Sequence, residues 1–104
     1  MKKIDHIGIA VKDLENSNLI FSKLFNREPF HEENIKSQKL IASFFKLEDT
    51  KIELLYPTSE DSTVAKFLEK KGEGIHHVAF EVTDIYAEME RLKKEGFKPL
   101  SEKP

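Results

Sequence analysis

His6, Glu53 and His77 are the residues of this chain whose side chains could act together on one ion. Two neutral imidazoles and a carboxylate make a ligand set for a divalent first-row ion, held at roughly 2.0–2.2 Å in the case of zinc. Mixed nitrogen and oxygen donors admit Zn, Ni, Co, Mn or Fe without selecting among them. Their spacings, 47 and 24 residues, form no short motif. Taken singly, a histidine in a strand is more often a hydrogen-bonded structural residue, and a lone Glu among apolar neighbours more often sits at an exposed edge. What joins these three is strand parity and an internal repeat.

Sliding the chain along itself by 71 positions superposes His6 on His77, Val11 on Val82 and Asp13 on Asp84, with Ile4 on Ile75, Ile7 on Val78 and Leu14 on Ile85. A strand, a capping Asp and a helix start recur in matched order. Such self-similarity is the sequence signature of a duplicated unit. The duplication places a histidine at the same point of both copies.

The elements that must position these side chains can be read in order. From Ile4 to Val11 the residues alternate, with Ile7, Ile9 and Val11 on one face and His6, Gly8 and Ala10 on the other. The bulky face should meet a helix, and the small face should border a cavity. Asp13 is the expected N-cap of a helix whose apolar stripe is Leu14, Ile20, Phe21, Leu24 and Phe25, ended by Asn26 and left by way of Pro29. The polar run His31 to Asn34 should be a connection or strand edge. Leu40 to Leu47 and Lys51 to Tyr56 read as a hairpin about Glu48-Asp49-Thr50. In its second strand Ile52, Leu54 and Tyr56 share one face, and Glu53 points with Leu55 to the other.

Residues from Pro57 to Ser62 read as a linker into a short helix, about Thr63 to Lys71, with Val64, Phe67 and Leu68 as its apolar side. Gly72 and Gly74 release the chain into the second histidine strand, Gly74 to Val82. A last helix, about Ile85 to Glu95, closes at Gly96, and residues 97–100 should start another extended piece. In the second strand, parity assigns His77 to the ligand face and His76 to the face of Val78, Phe80 and Val82, against the helices. His31 lies in a charged stretch and reads as solvated. Glu60-Asp61 and Glu69-Lys70-Lys71 read as surface and helix-end charges.

Composition narrows the classes. A chain of 104 residues suits one domain with a modest core. With 35% charged residues and a formal net charge of -2, it carries no polybasic footprint for nucleic acid. No apolar run approaches the roughly 20 residues of a membrane span. The N-terminus goes straight into a strand pattern without a signal-peptide core. There are no cysteines, which excludes thiolate metal sites and disulfides and leaves a cytoplasmic home as the expectation.

Asp5-His6-Ile7-Gly8-Ile9-Ala10-Val11, Ile52-Glu53-Leu54-Leu55, and the run from Ser62 through Lys71-Gly72-Glu73-Gly74-Ile75-His76-His77-Val78-Ala79-Phe80 closely resemble the methylmalonyl-CoA epimerase family. That family lies in the vicinal-oxygen-chelate superfamily with glyoxalase I and the bleomycin-resistance proteins. The resemblance spans nearly the whole chain. Its first histidine segment is shared across the superfamily, and the stretch from Val64 to Phe80 is more characteristic of the epimerases.

The resemblance implies an α+β fold of paired βαβββ modules, forming a curled mixed sheet around a metal cavity. On that frame the chain is a single vicinal-oxygen-chelate domain: module one over about 1–57, a linker and short helix over about 58–73, and a second module over about 74–104 that stops after its first strand and helix. The family's metal ligands map onto His6, Glu53 and His77, the middle one being Gln or Glu in the family. A fourth family ligand, a Glu on the last strand of the second module, has no counterpart before Pro104. The family's carboxylate base finds no acid across Leu40 to Phe45, so no catalytic acid or base is assigned.

The implied activity is inversion at C2 of methylmalonyl-CoA through an enolate. The implied cofactor is a divalent metal ion (Co, Mn, Ni or Zn), and the implied partners are an acyl-CoA substrate and a second copy of the chain as a homodimer. Two alternatives share the frame. A glyoxalase I-like enzyme would apply the same enolate logic to a glutathione hemithioacetal. A metal-free binding module of the bleomycin-resistance kind would leave the His/Glu/His set empty.

Overall fold

The computed structural model describes residues 1–97. Chain order is β1 (Lys3–Ala10), α1 (Leu14–Phe25), β2 (His31–Ile35), a single 3₁₀ turn (Lys36–Gln38), β3 (Leu40–Leu47), β4 (Thr50–Pro57), α2 (Thr63–Lys71), β5 (Gly74–Glu81) and α3 (Ile85–Lys94). The strands form one mixed sheet in the order β2-β3-β4-β1-β5. Only β1 and β4 run parallel; the other neighbours are antiparallel. The fold is α+β, and β1 to β4 with α1 follow the expected βαβββ order. Of the extended piece expected over residues 97–100, only Phe97 falls among the described residues.

Local chemistry sets the helix ends. The Asp13 side chain accepts a hydrogen bond from the Asn16 N–H at 3.1 Å, satisfying one of the free donors at the start of α1. Asn26 takes the left-handed conformation, φ 55°, that turns the chain out of the helix. Ser62 caps α2 and Asp84 caps α3 in the same way.

The sheet buries one core on each face. Val11, Phe45, Ile52 and Leu54 are buried beneath α1, with Ile7, Ile9, Phe21 and Phe25 packed on them. Ala10, Leu40, Ala42 and Leu55 are buried on the opposite face with Val64 of α2, flanked by Phe67 and Leu68. The alternation expected in β1 and β4 therefore holds. Two members of the expected α1 stripe do not: Ile20 is 54% and Leu24 69% exposed. At 3.6 residues per turn they stand about 100° and 60° round from Phe21, whereas Leu14 and Phe25 stay within about 40° of it.

The pairing of β1 with β5 is two-fold symmetric under the shift of 71 that relates the two histidines. Adding the shift to one partner and removing it from the other turns His6↔Ala79 into Gly8↔His77, Ile4↔Phe80 into Ile9↔Ile75, and Lys3↔Glu81 into Ala10↔Gly74. Ile7↔Val78 maps onto itself and marks the axis. The repeat in the sequence is thus a local dyad in the sheet.

Register breaks occur between Ile4 and His6 and between Gly8 and Ile9. The first leaves Asp5 as an extra residue in β1, and the second leaves His76 as an extra residue in β5. Each is a β-bulge, in which two residues oppose one on the partner strand and strict alternation fails locally. Asp5 and His76 are themselves equivalent under the repeat.

No helix among the described residues is long and apolar enough to cross a membrane.

Candidate metal centre

Gly8 is the floor of the site. It pairs with Glu53 of β4 on one side and with His77 of β5 on the other, and His6 lies two residues back on the same face of β1. The three side chains therefore rise from adjacent strands around one residue that has no side chain. One ligand atom from each of His6, Glu53 and His77 falls within 4.8 Å of the others. The two imidazoles face each other, Nε2 to Nε2, at 3.2 Å. Glu53 Oε2 lies 3.5 Å from His6 Nδ1.

The donor set fits a divalent ion. Nitrogens bound at about 2.1 Å to a common ion stand about 3.0 Å apart at an octahedral right angle and about 3.4 Å apart at a tetrahedral angle. The observed 3.2 Å lies between these values. The same separation also accommodates an N–H···N hydrogen bond between two neutral rings.

Electrostatics favour a neutral His77 ring and leave the Glu53 carboxylate short of compensating charge. Burial lowers the His77 pKa from its ordinary 6.5, and the charges of His6 and His76 push it the same way. Near neutral pH its ring is unprotonated, as a ligand must be. Burial also raises the Glu53 pKa above 4.5; His6 and Lys51 oppose this, and Asp5 adds to it. A cation in the site would reverse that rise. Asp5 is lowered, chiefly by its hydrogen bond to His6.

Around this set lies a cavity of about 230 Å³, lined by His6, Glu53, His76 and His77 together with Leu40, Leu55, Val64, Ile35, Gln38 and Thr63. Ile35, Leu40, Leu55 and Val64 make an aliphatic part of the wall, and Gln38 and Thr63 add an amide and a hydroxyl. A volume of this size suits an acyl group rather than a whole nucleotide-bearing ligand.

His6, Glu53 and His77 come together as strand parity and the repeat required. His31 does not join them: it stacks on Phe44 and contacts Glu33 at the outer strand, with its side chain 52% exposed. The expectation for His76 is corrected. The bulge turns it onto the pocket side, where its ring meets Phe67 of α2 edge-on at 5.1 Å between centroids. Val78 and Phe80 face the other way and are 40% and 49% exposed. Sequence reasoning missed Asp5, Gln38, Thr63 and the pocket placement of His76. The repeat held a signal for two of these, because Asp5 and His76 are equivalent and each precedes a ligand-type histidine.

The chain belongs to the Glyoxalase/Bleomycin resistance protein/Dioxygenase superfamily, whose sequence model matches residues 5–104. Within it, the chain is 38% identical over 99 residues to the ethylmalonyl-CoA/methylmalonyl-CoA epimerase of Cereibacter sphaeroides, covering 94% of this chain and 74% of that one. It is 40% identical over 80 residues to the uncharacterised protein YqjC of Bacillus subtilis, covering 77% of this chain but only 57% of the relative's length. In three dimensions it resembles a variant of Streptomyces coelicolor methylmalonyl-CoA epimerase in complex with 2-nitronate-propionyl-CoA. That likeness has a TM-score of 0.88 at 35% identity and covers 100% of this chain and 79% of the other.

Proposed function

We propose that this chain binds a divalent metal ion through His6, Glu53 and His77 and acts as an epimerase at C2 of methylmalonyl-CoA. The observation that carries the reading is the convergence of those three side chains at the base of an acyl-sized cavity. Similarity to epimerases by sequence and by fold supports the substrate. The two-fold register of β1 and β5 supports the division into a first module over 1–57, a linker with α2 over 58–73, and the opening of a second module over 74–104.

Epimerisation requires loss and return of the C2 proton, and the difficulty is the negative charge that develops on the thioester oxygen. A divalent ion in the site would supply Lewis-acid stabilisation of that charge. The chain's own residues do the rest of the positioning. Leu40, Leu55 and Val64 form an apolar wall that limits water beside the reacting carbon. Gln38 and Thr63 offer neutral hydrogen-bond groups to the acyl oxygens. Glu53 and the two imidazoles, one behind the other on neighbouring strands, fix where those oxygens must lie.

The test is exchange at C2. One C2 epimer of methylmalonyl-CoA, incubated in D₂O with the chain and Co²⁺ or Mn²⁺, should gain deuterium at C2 and convert to the other epimer faster than in buffer with metal alone. Rates equal to that control would overturn the proposal. Turnover of a glutathione hemithioacetal in place of the CoA thioester would move the activity to the glyoxalase class.

A further inference from the structure

We propose that Asp5 and His76 are the positioning residues of the metal centre: each is turned onto the pocket side by a bulge, and each holds Nδ1 of the neighbouring ligand histidine so that both Nε2 atoms address one ion. This rests on His6, Glu53 and His77 binding a metal, and adds to it a pair of residues and a change of hydrogen-bond direction.

The geometry is symmetric. Asp5 Oδ2 lies 2.9 Å from His6 Nδ1, and His76 Nδ1 lies 3.0 Å from His77 Nδ1. The two bulges occupy equivalent places about the Ile7↔Val78 axis. In an unbroken strand, residues 5 and 76 would point to the opposite face from the ligand histidines and could not reach them. The extra residue at each point brings a support to the same side as its ligand.

Hydrogen-bond chemistry then fixes the tautomers. An ionised carboxylate only accepts, so His6 carries its proton on Nδ1 and presents a lone pair at Nε2. A neutral imidazole has one N–H, so the bond between His76 and His77 can run in either direction. If His76 Nδ1–H donates, His77 keeps its proton on Nε2 and donates it to His6. Asp5, His6, His77 and His76 then form one continuous chain of hydrogen bonds. In keeping with this, no buried side-chain nitrogen or oxygen among the described residues lacks a partner.

To offer both Nε2 lone pairs to an ion, His77 would have to hold its proton on Nδ1 and donate it to His76. His76 then accepts at Nδ1 and carries its own proton on Nε2. Each ring would keep one proton throughout; the direction of the His76–His77 bond would reverse, and the ion would replace the Nε2–H···Nε2 bond between His77 and His6. The edge contact with Phe67 holds the His76 ring where it can serve in both directions. The ion-free site is thereby internally satisfied, and the ion-bound site is oriented by the same two groups.

The test uses zinc with the 104-residue chain. Zinc affinity is measured by competition with a chromophoric chelator for the wild type, Asp5→Ala, Asp5→Asn, His76→Phe and His76→Gln. Long-range ¹H–¹⁵N spectra of the imidazoles are recorded with and without zinc. Asp5→Ala and His76→Phe should each weaken zinc binding about 10–100-fold. Asp5→Asn and His76→Gln retain an acceptor oxygen and should recover most of the affinity, which a general loss of structure would not allow. On zinc addition the proton of His77 should move from Nε2 to Nδ1 and that of His76 from Nδ1 to Nε2, with His6 protonated at Nδ1 in both states. Wild-type zinc affinity in Asp5→Ala and His76→Phe, or a His77 tautomer unchanged by zinc, would overturn the proposal and leave the metal centre standing. A wild-type chain that binds no zinc would overturn both.

Discussion

Gly8 and His77 stand opposite each other on β1 and β5, and the imidazole occupies the space that a side chain at residue 8 would need. A Cβ at that position would lie 2.7 Å from Nδ1 and 2.9 Å from Nε2 of His77, and closer still to Cε1. The requirement for glycine here is one of approach. Gly8→Ala should therefore leave the sheet intact and push the ring of His77 off its place. Zinc affinity should fall at least about tenfold, equivalent to about 1.4 kcal/mol. Chelator competition measures the loss, and an unchanged affinity would show that His77 is not held over Gly8.

Glu53→Gln separates the cost of the carboxylate from its use. Because burial raises the Glu53 pKa above 4.5, the folded chain holds the ionised form at a disadvantage at pH 7. The neutral amide removes that cost, so the metal-free variant should equal or exceed the wild type in stability by about 1 kcal/mol at pH 7. The advantage should vanish as the pH falls below 4.5, where the unfolded wild-type residue is also protonated. Urea midpoints at the two pH values give the answer. Zinc affinity should meanwhile drop, since an amide oxygen is a weaker ligand than a carboxylate.

His77 gives the metal-free protein an acid-sensitive step. Its folded pKa lies below the unfolded value of 6.5, so the unfolded state binds the proton more readily. Stability should be free of this penalty above pH 6.5 and should decline as the pH falls through 6.5 toward the depressed folded value. His77→Gln should flatten that part of the profile, measured as urea midpoint against pH down to about pH 5, above the ordinary carboxylate range. A wild-type slope unchanged by the substitution would place the acid sensitivity elsewhere.

Leu54 is fully buried on the face away from the cavity, packed with Val11, Phe45 and Ile52 beneath α1. Leu54→Ala should cost about 2–5 kcal/mol through lost burial and the cavity left behind. At temperatures where the variant remains folded, its zinc affinity should match the wild type. A loss of metal binding in proportion to the loss of stability would mean that the two faces of the sheet are not independent.

Much of this molecule was legible in its sequence because two periodicities held. Ile7, Ile9, Ile52 and Leu54 fell on one face and His6, Glu53 and Leu55 on the other, as alternation required, and α2 occupies the span read for it. Asp13 and Asn26 marked the ends of α1 because a carboxylate cap and a left-handed turn each have few residue types that serve. The shift of 71 proved to be a dyad in the sheet. What stayed hidden was the pair of bulges. Counting faces assumes that each residue opposes one partner, and neither Asp5 nor His76 advertises a bulge as glycine can. Parity alone therefore puts His76 on the wrong face, although its equivalence to Asp5 is present in the repeat. Ile20 and Leu24 depart from the apolar stripe for a different reason: apolar character does not ensure burial, and their angular positions on α1 set them toward solvent.

The proposed chemistry depends on His6, Glu53 and His77 sharing one ion. Metal analysis after equilibration with Co²⁺ or Zn²⁺ and removal of excess by gel filtration tests this most directly. About one ion per chain should remain in the wild type, and His6→Ala, Glu53→Ala and His77→Ala should each lose most of it while keeping the far-ultraviolet spectrum of the folded protein. A wild-type chain that retains no metal, or three variants that retain as much as the wild type, would contradict it.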